Sequence, residues 1–422
     1  MRVLIINTAE RIGGAAIAAN RLMVALNNNG IKAKMLVSNR QTEQITVVSI
    51  KNSWKTLWNF VWERFVIWGA NNFRRHNLFA VDIANTGTDI TRLPEFVQAD
   101  VIHLHWINQG MLSLKNIKQI IDSGKPIVWT MHDMWPFTGI CHHAGTCTKY
   151  TTGCNNCPLL YRGNSKDISY HTFHRKKKLF GSIISKITFV ACSHWLESLA
   201  QKSILTHGHL VTSIPNPINV NLFKPLNKKL ARKQLNLPTD KKLILFCSAK
   251  TSDKMKGIDY LVEACRLLKE KEPEFSSQLA VVVLGRHSEQ YHELFPFDVH
   301  CLDYVSNEKQ LTEIYNAIDL YVTPSLQDNL PNTIVEAMSC GIPCVGFNVG
   351  GIPQMIDHLH NGYVAQYKSA DDLAHGIWWS FNEGDYRTLS AVARHKALNT
   401  YSENIIAAEY LKIYNQATKK NE

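Results

Sequence analysis

A chain of 422 residues, 45% apolar and 19% charged, is too long for one ordinary core and too apolar for a disordered or fibrous polymer. Its 46 Lys and Arg exceed its 35 Asp and Glu, and the net +11 favours anionic partners: nucleic acid, an acidic membrane surface or a phosphorylated small molecule. The apolar run at residues 3–6 is shorter than the ~7–15 residues of a secretory h-region, and no run approaches the ~20 residues of a membrane span. A cytoplasmic protein is expected, with its ten cysteines as thiols or metal ligands rather than disulfides.

In chain order, residues 3–6 predict a buried strand, Gly13 and Gly14 a tight loop, residues 15–26 a helix and residues 33–37 a second strand. Strand, glycine loop, helix, strand is the start of a parallel α/β sheet. Short apolar runs at 101–104, 127–130, 187–190 and 210–211 continue it. Prolines 215, 217 and 225 then punctuate the chain, and a second alternation begins. It comprises strands at 243–246, 279–284, 301–305, 320–322 and 344–347, with helices at 257–269, 308–317 and 332–338. Residues 386–417 predict helix throughout.

The expected domains are therefore residues 1–215, residues 216–395, and a C-terminal helix, 396–422, packing back toward the first domain. Open parallel sheets bind ligands beyond the carboxyl ends of their strands, so the loops after the strands should line a cleft.

The most informative such loop runs from Pro324 to Met338, between a strand and a helix. Asp328 precedes the helix and Glu336 lies within it; carboxylates accept hydrogen bonds from paired hydroxyls such as those of a sugar or ribose. The helix start at Asn332 and Thr333 offers amides and a positive dipole end to a diphosphate. Gly350 and Gly351 precede another helix and could form a second phosphate-facing turn, while Lys256, just before Gly257, could meet a phosphate at the same sheet edge. The bland alternatives are an ordinary helix start, a solvent-facing Glu and a solvated lysine.

The order of these pieces resembles the retaining glycosyltransferase family 4, of the GT-B fold, over nearly the whole chain. The likeness rests on Gly13-Gly14, Thr130-Met131-His132-Asp133, Ala191-Cys192-Ser193, Ile214-Pro215-Asn216, Lys256-Gly257, Asp303-Tyr304-Val305-Ser306, Ala317-Ile318-Asp319-Leu320, Pro324-Ser325, Glu336-Ala337-Met338 and Gly350-Gly351. The runs Asp328–Asn332 and His132–Gly139 resemble the branch found in bacterial capsule and exopolysaccharide gene sets.

The resemblance implies two Rossmann-like, doubly wound domains facing a central cleft. It implies a nucleotide diphosphate sugar as donor, a saccharide acceptor, retention at the anomeric carbon, and catalysis without a metal or other cofactor. Glu336 would hold the donor ribose, and Asp328 the transferred sugar, helped by amides of Asn329, Leu330 and Pro331. Lys256 would neutralise the diphosphate, Gly13 and Gly14 would approach phosphate or acceptor, Tyr304 and Val305 would border the base, and His132 would touch the donor sugar. The family usually carries Glu where this chain has Asp328, and an Arg upstream of the Lys-Gly pair, for which Lys250 is the nearest stand-in.

Two further segments stand out. Cys141, Cys147, Cys154 and Cys157, beside His142 and His143, have the soft-ligand character of a structural zinc site; free thiols in a loop are the other reading. Trp54, Leu57, Trp58, Val61, Trp62, Phe65 and Trp68 recur at helical spacing, with Lys51, Lys55, Arg64, Arg74 and Arg75 nearby. That pattern fits either a peripheral contact with an anionic membrane, where a lipid-carrier-linked acceptor would lie, or an amphipathic helix packed on the first sheet. The run Arg175-Lys176-Lys177-Lys178 reads as a solvated basic cluster.

The expectation is a hexosyl-type transferase of capsular, exopolysaccharide or lipopolysaccharide assembly, working in the cytoplasm or at the inner face of its membrane. The alternative within the fold is a nucleotide-sugar epimerase or hydrolase. A dehydrogenase is disfavoured because the first loop lacks G-x-G-x-x-G, and no nucleic-acid-binding module is present.

Overall fold

The computed structural model describes residues 1–50, 53–181 and 187–419; Lys51 lies outside the described residues. The chain divides into two compact units: one runs from Met1 to Pro215 and takes back the chain from Ile406, and the other is Asn216–Ile405.

In the first unit the strands are β1 (Arg2–Ala9), β2 (Lys32–Asn39), β3 (Val47–Ser49), β4 (Val101–Leu104), β5 (Ile127–Met131), β6 (Ile187–Ala191) and β7 (Leu210–Ser213). They form one parallel sheet in the order β3-β2-β1-β4-β5-β6-β7. β1 shows why its segment 3–6 is apolar without a break. Leu4 and Ile6 enter the core on one face, and Val3 and Ile5 enter the core on the other. A parallel sheet covered on both sides needs no polar alternation. The second of those cores takes its cover from helices Gly14–Asn28 and Glu403–Lys419, the latter through Ile406, Tyr410 and Tyr414 at four-residue spacing.

In the second unit the strands are β8 (Lys242–Lys250), β9 (Leu279–Arg286), β10 (Asp298–Leu302), β11 (Leu320–Thr323), β12 (Cys344–Phe347) and β13 (Gly362–Ala365). Their order is β10-β9-β8-β11-β12-β13, again parallel. Both sheets reverse direction of winding at one place, between β1 and β4 and between β8 and β11. Connections leaving adjacent strands there go to opposite faces, which opens a crevice at their carboxyl ends.

Four expectations change. The strand expected at 301–305 ends at Leu302, so Tyr304 and Val305 belong to the following loop. The helix expected over 386–417 is two helices, Tyr386–Thr400 and Glu403–Lys419. The break arises because Ile218 bridges Ser402 and its amide donates to the Tyr401 carbonyl at 2.8 Å. Lys176 is not solvated: it is buried, donates to the carbonyls of Trp135 (2.6 Å) and Thr138 (3.1 Å), and sits 3.4 Å from the Trp135 ring centre. Most of the aromatic stripe of helix Ser53–Ala70 does not pack inward: Trp54, Trp58, Trp62 and Phe65 face solvent, and Trp68 is half-buried.

Candidate active site

In the second unit, the loops leaving β8 and β11 meet at the switch point. Lys256 Nζ donates to Asp328 Oδ2 at 2.6 Å, with about a third of the lysine side chain exposed. Burial lowers the ammonium's affinity for its proton, but the Asp328 carboxylate outweighs it and holds Lys256 above its ordinary range. Lys256 is thus a permanent cation at the carboxyl edge of the sheet, within reach of solvent.

Two glycines make this approach possible. Gly257, at φ +70, lies so close to the Pro324 carbonyl that a Cβ would come within 1.9 Å of its oxygen. Gly350, at φ +59, would place a Cβ 1.7 Å from the Asp328 carbonyl oxygen. The second glycine pair is therefore a backbone seat for the Asp328 loop. The helix that follows it, Ile352–Met355, has only four residues, so any dipole behind this turn is weak.

Behind the loop, helix Asn332–Ser339 begins at Pro331 with no side-chain cap and no acid in its first turn. Its start is braced on both sides. Asn216 Nδ2 donates to Asn332 Oδ1 at 3.0 Å, and Tyr321 donates its phenol to Thr333 Oγ1 at 2.7 Å. Asn329, Leu330 and Pro331 are buried in the approach. Glu336 is buried as well, and the Tyr315 phenol donates to its Oε2 at 2.9 Å. Burial pushes the Cys247 thiol up to about 12, with the Glu336 carboxylate adding to the rise and Lys256 opposing it. The half-buried Cys247 thiol thus feels the charges of both Glu336 and Lys256, and Lys256 bonds Asp328.

Lys250, exposed at the end of β8, pairs in register with Arg286 at the end of β9. A register shift between Cys247 and Lys250 bends this strand end, and Gly285 admits it, since a Cβ there would meet the Ser248 carbonyl at 1.8 Å. Arg286 lies 5.0 Å from the ring centre of exposed Tyr304; Val305 follows half-buried. Tyr315, Cys247 and Arg286 were missed from sequence. Arg286 had a signal, since it closes the run 279–284 at the functional end of a strand. Tyr315 and Cys247 read as ordinary core.

In the first unit, Gly13 caps helix Gly14–Asn28 at φ +90, with no acid in the helix's first turn. His132 follows β5. Its Nε2 meets His105 Nδ1 at 2.9 Å and its Nδ1 lies 3.4 Å from Cys192 Sγ. Burial lowers His132 to about 4 against the pull of Asp133, so the ring is neutral near pH 7. Next to it, His142 is bracketed by Asp133 Oδ2 (2.7 Å) and Asp82 Oδ2 (2.5 Å). Burial opposes its charge, yet the two carboxylates raise it to about 10. Asp133 is in turn brought down to about 2, the His142 cation outweighing burial. The motif His132-Asp133 therefore joins a neutral imidazole to a buried ion pair that fixes its backbone.

Cys141, Cys147, Cys154 and Cys157 line one cavity of about 20 Å³. Among the described residues, however, no three His, Cys, Asp or Glu side chains are arranged to hold a metal ion. The zinc expectation finds no support among the described residues. Burial raises Cys141 to about 12 and Cys154 to about 11, so without a metal both thiols keep their protons near pH 7.

Known proteins resemble this chain in sequence over part of its length and in fold over nearly all of it. Residues 227–394 match the family model described as glycosyl transferases group 1. The N,N'-diacetylbacillosaminyl-diphospho-undecaprenol alpha-1,3-N-acetylgalactosaminyltransferase of Campylobacter jejuni is 30% identical over 207 residues, 48% of this chain and 53% of that one. The chain spans about half the length of the curated relatives it matches. Among solved structures, a glycosyltransferase from Rickettsia africae has a TM-score of 0.67 at 17% identity, covering 99% of this chain and 98% of its own. The Anabaena protein HepE in complex with UDP has a TM-score of 0.63 at 16% identity, covering 99% and 100%. The chain has the GT-B fold, and its segment 227–394, which carries Lys256, Asp328 and Glu336, is similar in sequence to glycosyl transferases group 1.

Proposed function

We propose that this protein transfers a sugar from a nucleotide diphosphate sugar to a saccharide acceptor. The observation that carries the proposal is the Lys256–Asp328 pair, held at the crevice between β8 and β11 directly before an uncapped helix start. A diphosphate docking there meets the positive end of the helix and an ammonium that already faces solvent. Asp328, relieved of Lys256 by the phosphate, is left to accept hydroxyls of the transferred sugar. Glu336, steadied by Tyr315, is the acceptor for the ribose hydroxyls. Arg286 and Lys250 add cations at the neighbouring strand ends, and Tyr304 with Val305 borders the base. The UDP held by the Anabaena neighbour and the lipid-diphosphate acceptor named for the Campylobacter relative fit this reading.

The reaction needs charge stabilisation at the departing diphosphate, which Lys256 and the helix amides supply without a metal. The bond from the sugar's anomeric carbon to the phosphate oxygen breaks, and the acceptor oxygen bonds to that carbon. The acceptor's proton passes to the departing phosphate oxygen, so no protein nucleophile is required and configuration is retained. His132, neutral and set between His105 and Cys192, suits contact with an uncharged hydroxyl. A hexosyl donor and a role in polysaccharide or lipopolysaccharide assembly complete the proposal.

The test is titration calorimetry with a panel of nucleotide sugars on wild type and Lys256→Ala. Binding of at least one donor, weakened roughly 10- to 100-fold in the variant, is expected. No binding across the panel, or equal affinity in the variant, overturns the reading.

A further inference from the structure

Helix Ser53–Ala70 is amphipathic the wrong way round for a packed helix. Its polar residues point inward. Asn59 accepts from the Thr86 hydroxyl at 2.7 Å, and Glu63 accepts from the amides of Ile83 (3.0 Å) and Ala84 (2.7 Å). Arg64 pairs with Asp82 and donates to the carbonyls of Leu78 (2.6 Å) and Val81 (3.1 Å). These bonds fix the helix's rotation, since turning it would take Glu63 from the buried amides of Ile83 and Ala84 and leave them without that acceptor.

The outer face is what remains. Trp54 is 81% exposed, Trp58 64%, Trp62 42% and Phe65 52%, with Leu57 and Val61 between them. The rings form a ladder, Trp58 to Trp62 at 6.2 Å and Trp62 to Phe65 at 5.8 Å. Phe73 and Phe79 extend the exposed apolar area beyond the helix end. Isolated exposed apolar residues need no explanation; a run of neighbouring exposed aromatic rings does.

The charge around this face selects its occupant. Between residues 53 and 80 the sole carboxylate is Glu63, which is buried, whereas Lys55, Arg74 and Arg75 are exposed. Tryptophan and phenylalanine rings rimmed by cations and free of surface acids match the headgroup layer of an anionic bilayer. No described helix is long and apolar enough to cross a membrane, so the contact is in-plane. We infer that helix Ser53–Ala70 docks the protein on an anionic lipid surface, with Trp54, Trp58, Trp62 and Phe65 entering the headgroup–acyl boundary. This inference stands apart from the donor site, which lies in the other unit of the chain.

The test is co-sedimentation of the full chain with vesicles of equimolar phosphatidylglycerol and phosphatidylcholine, against vesicles of phosphatidylcholine alone. Wild type is expected to sediment with the anionic vesicles and to be released as salt rises. Trp58→Glu with Trp62→Glu should weaken binding by more than about tenfold while leaving the thermal midpoint unchanged, because both rings are exposed. Failure of wild type to sediment, or undiminished binding by the double variant, overturns the inference. So does a tryptophan-dependent dimer in ultracentrifugation without lipid, which would assign the face to a second copy. Donor binding is measured without vesicles, so its result is independent of this one.

Discussion

Tyr315 shows how much a single phenol can decide. It donates to Glu336 Oε2 from a fully buried position, and burial, with the Glu336 carboxylate beside it, pushes its own ionisation well above the ordinary tyrosine range. It is therefore a fixed donor that orients the carboxylate without competing for its role. Tyr315→Phe removes that bond and little else. Donor affinity should fall by several-fold while the fold survives, and Glu336→Ala should abolish transfer. Calorimetry on Tyr315→Phe matching wild type would remove the phenol from the site. Asp328 and Glu336 could be singled out in sequence because an acid in the loop after a strand and another inside the following helix form a local pattern. Tyr315 was not, because a residue in a neighbouring helix acquires its meaning only when the sheet brings the two helices together.

At the scale of elements, the alternation of strand and helix was readable because parallel strands covered on both faces carry unbroken apolar runs, as at residues 3–6 in β1 and 320–322 in β11. The helix of residues 53–70 was legible as a helix but not in its rotation. The sequence shows where its aromatic residues recur, whereas the partners of Asn59, Glu63 and Arg64 come from the segment 78–88. The glycines were read for their freedom and not for what they touch. Gly350 is the sharpest instance. Gly350→Ala adds a methyl where the Asp328 carbonyl stands, in a backbone region that costs a side chain about 1–3 kcal/mol. The loop must move, and Asp328 moves with it. A lowered thermal midpoint together with weakened donor binding is expected. A variant that loses stability yet binds donor normally would separate the glycine from the site.

For the molecule as a whole, acid should be the more damaging direction, and the reason lies in the first unit. His103, His105 and His132 run in a chain, His103 and His105 with ring centres 4.3 Å apart and His105 bonded to His132, ending at the Tyr414 phenol of the last helix. Burial holds His103 at about 3 and His132 at about 4, and takes His105 well below its ordinary value; His209 is lowered for the same reason. In the unfolded chain these rings take up protons near pH 6.5, and in the folded chain they do not. The unfolded state therefore binds more protons, and stability falls as pH drops below about 6.5. Glu63, raised to about 7 by burial and Asp82, acts the opposite way as pH falls from 7 to its unfolded range, but it is one proton against several. His142, raised to about 10, carries its proton in both states below pH 6.5 and so drops out of this window. Thermal unfolding measured from pH 6.5 down to pH 4.5 should show a falling midpoint. His103→Gln should flatten that fall by about one proton's worth of slope, since it removes one buried ring that cannot charge. A midpoint that rises on acidification would mean that these rings are protonated in the folded protein. The hydrogen bonds joining β4, β5 and the final helix through His103 would then have to be drawn differently.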